Sequence, residues 1–188
     1  MGFTFPYQDT LEALDGPEPR YALEEIEAWG GMVAKLEDPS ALELLSRLAL
    51  ARGQAAEFAH FCEREKQTAS VQYAQALRFA GRGEEAATLV RHYRGTDARF
   101  LREAAFAALA EGDLADAAKL AESAVEHATT LPIRVRSLLA LGLIERYRGR
   151  LAEGQDLAYR ALGLPGIERS VDVLVEALGY TTFAHRSR

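Results

Sequence analysis

The sequence predicts an all-α protein, a right-handed solenoid of helical hairpins with further helices covering both ends. A glycine closes an apolar helical stretch four times, at Gly53, Gly81, Gly112 and Gly149, at intervals of 28, 31 and 37 residues. Alanine and leucine, which favour helices, fill the stretches between these glycines. No stretch alternates apolar and polar residues for long enough to indicate a β-strand. A recurrence of this size is typical of stacked hairpins, because one hairpin cannot bury its own apolar face.

The amino-terminal 37 residues are the least regular part, and we predict an irregular helical cap over residues 1–37. Thr10 is placed to cap a short helix that Pro17 and Pro19 interrupt. A second helix is expected over residues 21–35, with the pair Gly30 and Gly31 as its weak point.

Four hairpins are predicted within residues 38–165, each turning at one of the four recurring glycines. The fourth ends at a run that contains Gly163, Pro165 and Gly166, which is a strong stop for a helix. A last helix over residues 170–178 would cover the open end, so residues 166–188 are predicted as a capping helix and tail. The hairpins are expected to open at Ser40, Thr68, Thr96 and Pro132.

The repeating units align when each recurring glycine is placed at position 15 of a 34-residue unit. Position 8 is then small in every unit, with Ser46, Ala74, Ala105 and Gly142. Position 20 holds Phe58, Ala86, Ala117 and Gly154, which is small in all units but the first. This pattern resembles the tetratricopeptide repeat (TPR), in which small residues at these positions let two helices approach closely. The first unit departs from the pattern at Phe58 and the fourth at Glu145, where a tyrosine is usual.

The resemblance implies a concave groove lined by the first helix of each unit, at positions 2, 5, 9, 12 and 13. Those positions supply six arginines and three aromatic residues, with Glu43 as the one acid. Guanidinium groups bind carboxylates in pairs and stack on aromatic rings, so such a groove would suit an acidic protein segment. The predicted partner-binding residues are Arg47, Arg78, Phe79, Arg99, Arg102, Phe106, Arg136, Arg146 and Tyr147.

The sharpest expectation concerns a single basic patch in this groove. We expect it to contain Arg99, Arg102, Arg136 and Arg146, arranged around Phe106 and Tyr147. The alternative interpretation is that these arginines solvate helix surfaces and pair with nearby acids, which contributes little to binding.

Two other functional classes are weighed against an interaction scaffold. Similar repeats occur as sensor segments of bacterial regulators, where the groove takes a peptide or a small molecule, and this stays open as an alternative. No residue set indicates an enzyme, a cofactor site or a metal site. Cys62 is the only cysteine, and His60 lies two residues from it, a spacing that points the two side chains to different helix faces.

Composition sets the remaining expectations. The net charge of −6 does not favour nucleic acid as the main partner. No apolar run approaches the length of a membrane span and no signal peptide is visible, so we expect a cytoplasmic protein. Arginine exceeds lysine 19 to 3 and asparagine is absent, which is typical of a bacterial gene rich in G and C. An apolar stripe on the last helix predicts a weak homodimer, through Val171, Leu174, Val175 and Leu178.

Overall fold

The structure, a computed structural model, describes residues 39–91, 93 and 95–186 of the 188-residue chain. The cap predicted over residues 1–37 lies outside the described residues. Within them the chain forms nine α-helices and one short 3-10 turn at Ile167–Arg169, and no β-strand. The helices are α1 (Pro39–Ala51), α2 (Ala55–Arg64), α3 (Val71–Phe79), α4 (Gly83–Val90), α5 (Ala98–Ala110), α6 (Leu114–Glu126), α7 (Leu131–Tyr147), α8 (Leu151–Leu162) and α9 (Val171–Arg186).

The first eight helices form four consecutive hairpins that stack in chain order. Helix α1 packs on α3, α3 on α5, α5 on α7, and α7 on α9. The second helix of each hairpin packs on the first helix of the next, as α2 does on α3 and α6 on α7. The all-α, TPR-like arrangement predicted from the sequence is confirmed, and the handedness of the solenoid stays a prediction.

The four recurring glycines make one and the same turn. Their φ angles lie between 71° and 82°, a left-handed conformation that costs side-chain-bearing residues free energy. After Gly53, the N–H of Gln54 donates to the carbonyl oxygen of Ala49 at 2.8 Å, as in a Schellman motif. A Cβ atom at any of the four would meet nothing within 4 Å. Backbone conformation, and not space, therefore requires glycine at these turns.

The crossing of α7 and α8 shows why small residues recur at positions 8 and 20. A Cβ atom on Gly142 would lie 2.9 Å from the carbonyl oxygen of Gly154, and one on Gly154 would lie 2.6 Å from that of Gly142. Both obstacles are backbone atoms, so a larger residue would force the helices apart. In the first hairpin, Phe58 instead is buried in an apolar cluster with Leu42 and Leu77. The large side chain that departs from the repeat pattern is therefore accommodated as part of the core of that hairpin.

The last helix covers the fourth hairpin and is longer than the sequence predicted. Val173 and Ala177 are fully buried in the core that α5 to α8 build. The helix continues beyond Leu178 to Arg186, because neither a proline nor a left-handed glycine follows to end it. Leu178 and Val175 remain 47% and 61% exposed. The homodimer stays a prediction.

Candidate interaction surface

Arg78 occupies the centre of the surface formed by the first helices. Its guanidinium carbon lies 4.4 Å from the ring centroid of Phe79 and 4.5 Å from that of Phe106, which comes from the next hairpin. Its Nε donates to Oε2 of Glu103 at 2.7 Å, and its Nη2 to Oε1 at 3.4 Å. Phe79 itself is 57% exposed. Two rings and one carboxylate therefore hold this arginine in a fixed orientation.

Glu103 is buried and serves two arginines. Besides Arg78, it accepts a long hydrogen bond of 3.5 Å from Nη2 of Arg102. Arg102 is itself only 7% exposed. Burial lowers the pKa of Arg102, the charge of Glu103 opposes that shift, and the charges of Arg136 and Arg78 add to it. The stacking of α3 on α5 thus brings arginines from two hairpins to one buried carboxylate.

A second carboxylate, Glu43 on α1, joins three hairpins. It accepts from Nε of Arg47 at 3.0 Å, from Nε2 of Gln72 at 2.5 Å, and lies 3.5 Å from Nη1 of Arg99. Arg99 also binds Asp97 with two nitrogens, at 2.8 and 3.2 Å. Burial alone would raise the pKa of Glu43, but the charge of Arg47 and the hydrogen bonds from Gln72 and Arg47 lower it below its usual range.

The remaining predicted residues lie nearer the carboxyl-terminal end. Nε of Arg136 donates to Oε2 of Glu176 on α9 at 3.1 Å. Arg146 lies with its guanidinium carbon 5.9 Å from the ring centroid of Tyr180, also on α9. Burial raises the pKa of Tyr180 to about 12, against an opposing effect of Arg146. Tyr147 is 64% exposed, and within the described part of the chain no hydrogen bond or ring contact joins it to the other predicted residues.

The structure therefore brings most of the predicted residues together and separates two. We define the first-helix face as the surface that carries Glu43, Arg47, Arg78, Phe79, Arg99, Arg102, Glu103, Phe106 and Arg136. The arginine that stacks on Phe106 is Arg78, which the predicted patch did not include. Arg146 turns towards α9, and Tyr147 stands apart. At least five of the six predicted arginines contact a carboxylate, as the alternative interpretation expected.

Three polar residues that join this network, two as partners of arginines and Gln72 as a donor to Glu43, were not found from the sequence. Glu103 occupies position 6 of its unit and Gln72 position 6 of the second, which are not among the groove positions. Glu176 comes from the capping helix, outside the repeats. The one available signal was an acid beside Arg102 in a helix otherwise rich in alanine.

Another buried glutamate, Glu145, also serves two arginines but differs in its surroundings. It accepts from Nη1 of Arg148 at 2.7 Å and from Nη1 of Arg150 at 3.4 Å. Both arginines come from the turn that follows α7, and the side chain of Arg150 is 52% exposed. This cluster joins residues of a single hairpin, whereas Glu103 joins two hairpins.

Cys62 and His60 are not arranged for chemistry. Cys62 is fully buried, and burial followed by the charge of Glu63 raises its pKa to about 12, which keeps the thiol protonated. His60 lies on the exposed face of α2, 3.4 Å from Glu63. Within the described residues no group of three or more His, Cys, Asp or Glu side chains is arranged to hold a metal ion. No helix in the same part of the chain is long and apolar enough to cross a bilayer.

Comparison with known proteins bears on the fold. No protein-family model and no curated protein matches the chain. The crystal structure of a thermophilic TPR protein from Thermus thermophilus superposes with a TM-score of 0.62 at 18% sequence identity. The match covers 94% of this chain and 99% of that one. The chain therefore has a TPR-like helical-repeat fold.

Proposed function

We propose that this protein is an interaction scaffold whose first-helix face binds an acidic segment of a partner protein. The observation that carries the proposal is Arg78, which is held between the rings of Phe79 and Phe106 and against Glu103. An arginine fixed in this way loses little conformational entropy when it binds a carboxylate.

The exposed parts of this surface fit such a ligand. Phe79 is 57% exposed, and large exposed aromatic residues are common anchors of protein interfaces. The side chains of Arg78 and Arg99 are 31% and 37% exposed, on adjacent hairpins. Within the described residues, Nη1 of Arg78 donates to no protein acceptor, so it is available to a ligand. The surface therefore offers apolar contact and hydrogen-bond donors side by side.

A binding experiment with matched peptides tests the proposal. The probes are extended nonapeptides that carry glutamate and one aromatic residue, and control peptides in which every glutamate is replaced by glutamine. We expect glutamate peptides to bind at least about tenfold more tightly, a difference of ~1.4 kcal/mol. Raising the salt from about 50 mM to about 300 mM should weaken binding, because exposed charges are screened.

Two variants connect that binding to the first-helix face. Phe79→Ser removes an exposed ring from the face, and we expect it to weaken binding about tenfold or more, as for an interface anchor. Leu151→Ser removes a residue of similar exposure, 53%, from the second helix α8 and should leave binding unchanged. Equal binding of glutamate and glutamine peptides, or equal loss in both variants, would overturn the proposal.

A second candidate function is a regulatory segment that binds a small molecule. It is favoured by a cavity of about 410 Å³ between α4, α5 and α6, away from the first-helix face. Its lining combines apolar side chains, such as Val90, Ala104 and Leu120, with charged ones, such as Arg91 and Lys119. Ligand pockets typically enclose about 300–1,000 Å³. Filling the cavity with Ala104→Leu should abolish small-molecule binding and leave binding of the glutamate peptides intact, and a small molecule that still binds this variant would overturn the second candidate.

A further inference from the structure

Arg102 is a buried cation with too few partners. It is 7% exposed, and among the described residues only Glu103 accepts a hydrogen bond from it, at 3.5 Å. A guanidinium group carries five N–H donors, and buried arginines are normally paired through several of them. Most of the donor capacity of Arg102 is therefore unused in this structure.

The charges around it do not balance. Glu103 is shared, and Arg78 takes the shorter bonds, at 2.7 and 3.4 Å. Two cations and one carboxylate leave an excess of one positive charge in a site where the side chains of Glu103 and Arg102 are only 3% and 9% exposed. Arg136 on the next hairpin adds a positive charge nearby, and its partner Glu176 offsets it, so the excess of one positive charge remains. Low solvent access strengthens the attraction of such a site for an anion.

The site is recessed but not closed. No nitrogen of Arg102 belongs to the fully buried side-chain atoms that lack a hydrogen-bond partner in the described part of the chain. The nitrogens that do not bind Glu103 therefore keep a small solvent-accessible area. Beside them, the guanidinium group of Arg78 stacks on the exposed ring of Phe79, which provides an apolar wall.

We propose that Arg102, with Arg78 beside it, is the anion subsite of the first-helix face and takes one carboxylate from an acidic side chain of the bound segment. This inference rests on the proposed function. One carboxylate cancels the single excess charge and matches the planar edge of a guanidinium group. A phosphate dianion would leave the site with one excess negative charge.

The first arm of the test uses small anions and the unaltered protein. Sodium acetate, sodium phosphate and sodium chloride are titrated at equal ionic strength, and the side-chain Nε–Hε resonances of the arginines are followed by NMR. We expect acetate to shift the Arg102 resonance to saturation, phosphate to act more weakly, and chloride to have no saturable effect. Stronger binding of phosphate would overturn the choice of a carboxylate, and the absence of any saturable shift would overturn the subsite.

The second arm uses the glutamate peptides and two neutral variants. Arg102→Met should weaken binding of the glutamate peptides about tenfold and reduce their advantage over the glutamine peptides, while Arg78 and Arg99 keep part of it. The control is Arg150→Met. It also removes an arginine that donates a long hydrogen bond, 3.4 Å, to a buried glutamate, Glu145, but this arginine lies in the turn before α8 and not on the first-helix face. It should bind the peptides as the unaltered protein does.

The outcomes separate this inference from the proposed function. If peptides bind Arg102→Met as tightly as the unaltered protein, the subsite is wrong and the scaffold stands. If acetate saturates Arg102 but no peptide binds, the carboxylate subsite stands and the protein partner is wrong. Should Arg102→Met fail to fold, the acetate titration of the unaltered protein decides alone.

Discussion

The interiors of the hairpins and the first-helix face are built on opposite plans. Inside the hairpins the same solution recurs, with a left-handed glycine at each turn and small residues where α5 crosses α6 and α7 crosses α8. On the first-helix face every hairpin contributes different groups, and some of their ion pairs join different hairpins, as those between Arg78 and Glu103 and between Arg99 and Glu43 do. The repeated features determine the stack. The unrepeated ones vary from hairpin to hairpin, and the proposed function assigns them to partner binding.

The largest expected effect comes from the closest crossing in the interior. Gly142→Leu should destabilise the protein by about 3 kcal/mol or more, because its Cβ would meet the backbone of Gly154 and neither helix can yield locally. Urea unfolding measures the change. Gly179→Leu is the matched control, since a Cβ there meets nothing within 4 Å, and it should be neutral or slightly stabilising. Similar losses in both variants would contradict the account of the crossing.

The next effect separates the two buried glutamates. Glu103→Gln should cost about 2–3 kcal/mol, because it leaves the buried charge of Arg102 without its carboxylate. Glu145→Gln should cost about 1 kcal/mol, because Arg148 and Arg150 remain accessible to water. Chemical denaturation of both variants provides the comparison. If Glu145→Gln costs as much, the two clusters are equivalent and Glu103 has no special role.

Lowering the pH should remove the stabilising contribution of Glu43 on the first-helix face. The pKa of Glu43 is lowered in the folded protein, so its stabilising contribution is complete above its unfolded pKa of about 4.3 and is lost as the pH falls further. The difference in unfolding free energy between the unaltered protein and Glu43→Gln should therefore shrink from pH 6 to pH 3. A difference that stays constant, or grows in acid, would show that Glu43 is not held as a carboxylate.

The smallest effect tests the turn geometry. Lys66 ends α2 with a φ of 58°, and the N–H of Gln67 donates to the carbonyl oxygen of Cys62 at 2.8 Å, as in the four glycine turns. Lys66→Gly should stabilise the protein by about 0.5 kcal/mol, since relief of the left-handed strain exceeds the added entropy of the unfolded chain. Gly53→Ala should do the reverse, with a loss of about 1 kcal/mol. Thermal melts of both variants would show opposite shifts, and shifts of the same sign would refute the shared geometry.

The sequence predicted the repeated interiors of the hairpins better than it predicted the unrepeated first-helix face. The hinge glycines and the small residues at the crossings recur at a fixed spacing, so Gly53, Gly149 and Gly142 were predicted in the places where the structure uses them. The first-helix face was predicted only in part. Glu103 and Glu176 reach their arginines across 25 and 40 residues of sequence, and no local pattern encodes such contacts.

The predicted basic patch illustrates the same limit. Repeat positions correctly placed Arg78, Phe79 and Phe106 on first helices, but the direction of each side chain depends on which neighbour attracts it. Arg146 lies against the ring of Tyr180 on the capping helix, which the repeat pattern does not cover. Position in a repeat therefore predicted the helix, and tertiary contacts decided the orientation.

The most direct measurement of the central claim is a map of where an acidic segment binds. Backbone amide resonances would be followed by NMR while the glutamate peptide is titrated into the unaltered protein. Binding at the first-helix face predicts saturable shifts in α1, α3, α5 and α7, strongest around Arg78 and Phe106, and none in the second helices α2, α4, α6 and α8. Shifts centred on the second helices, or on the cavity between α4, α5 and α6, would contradict it.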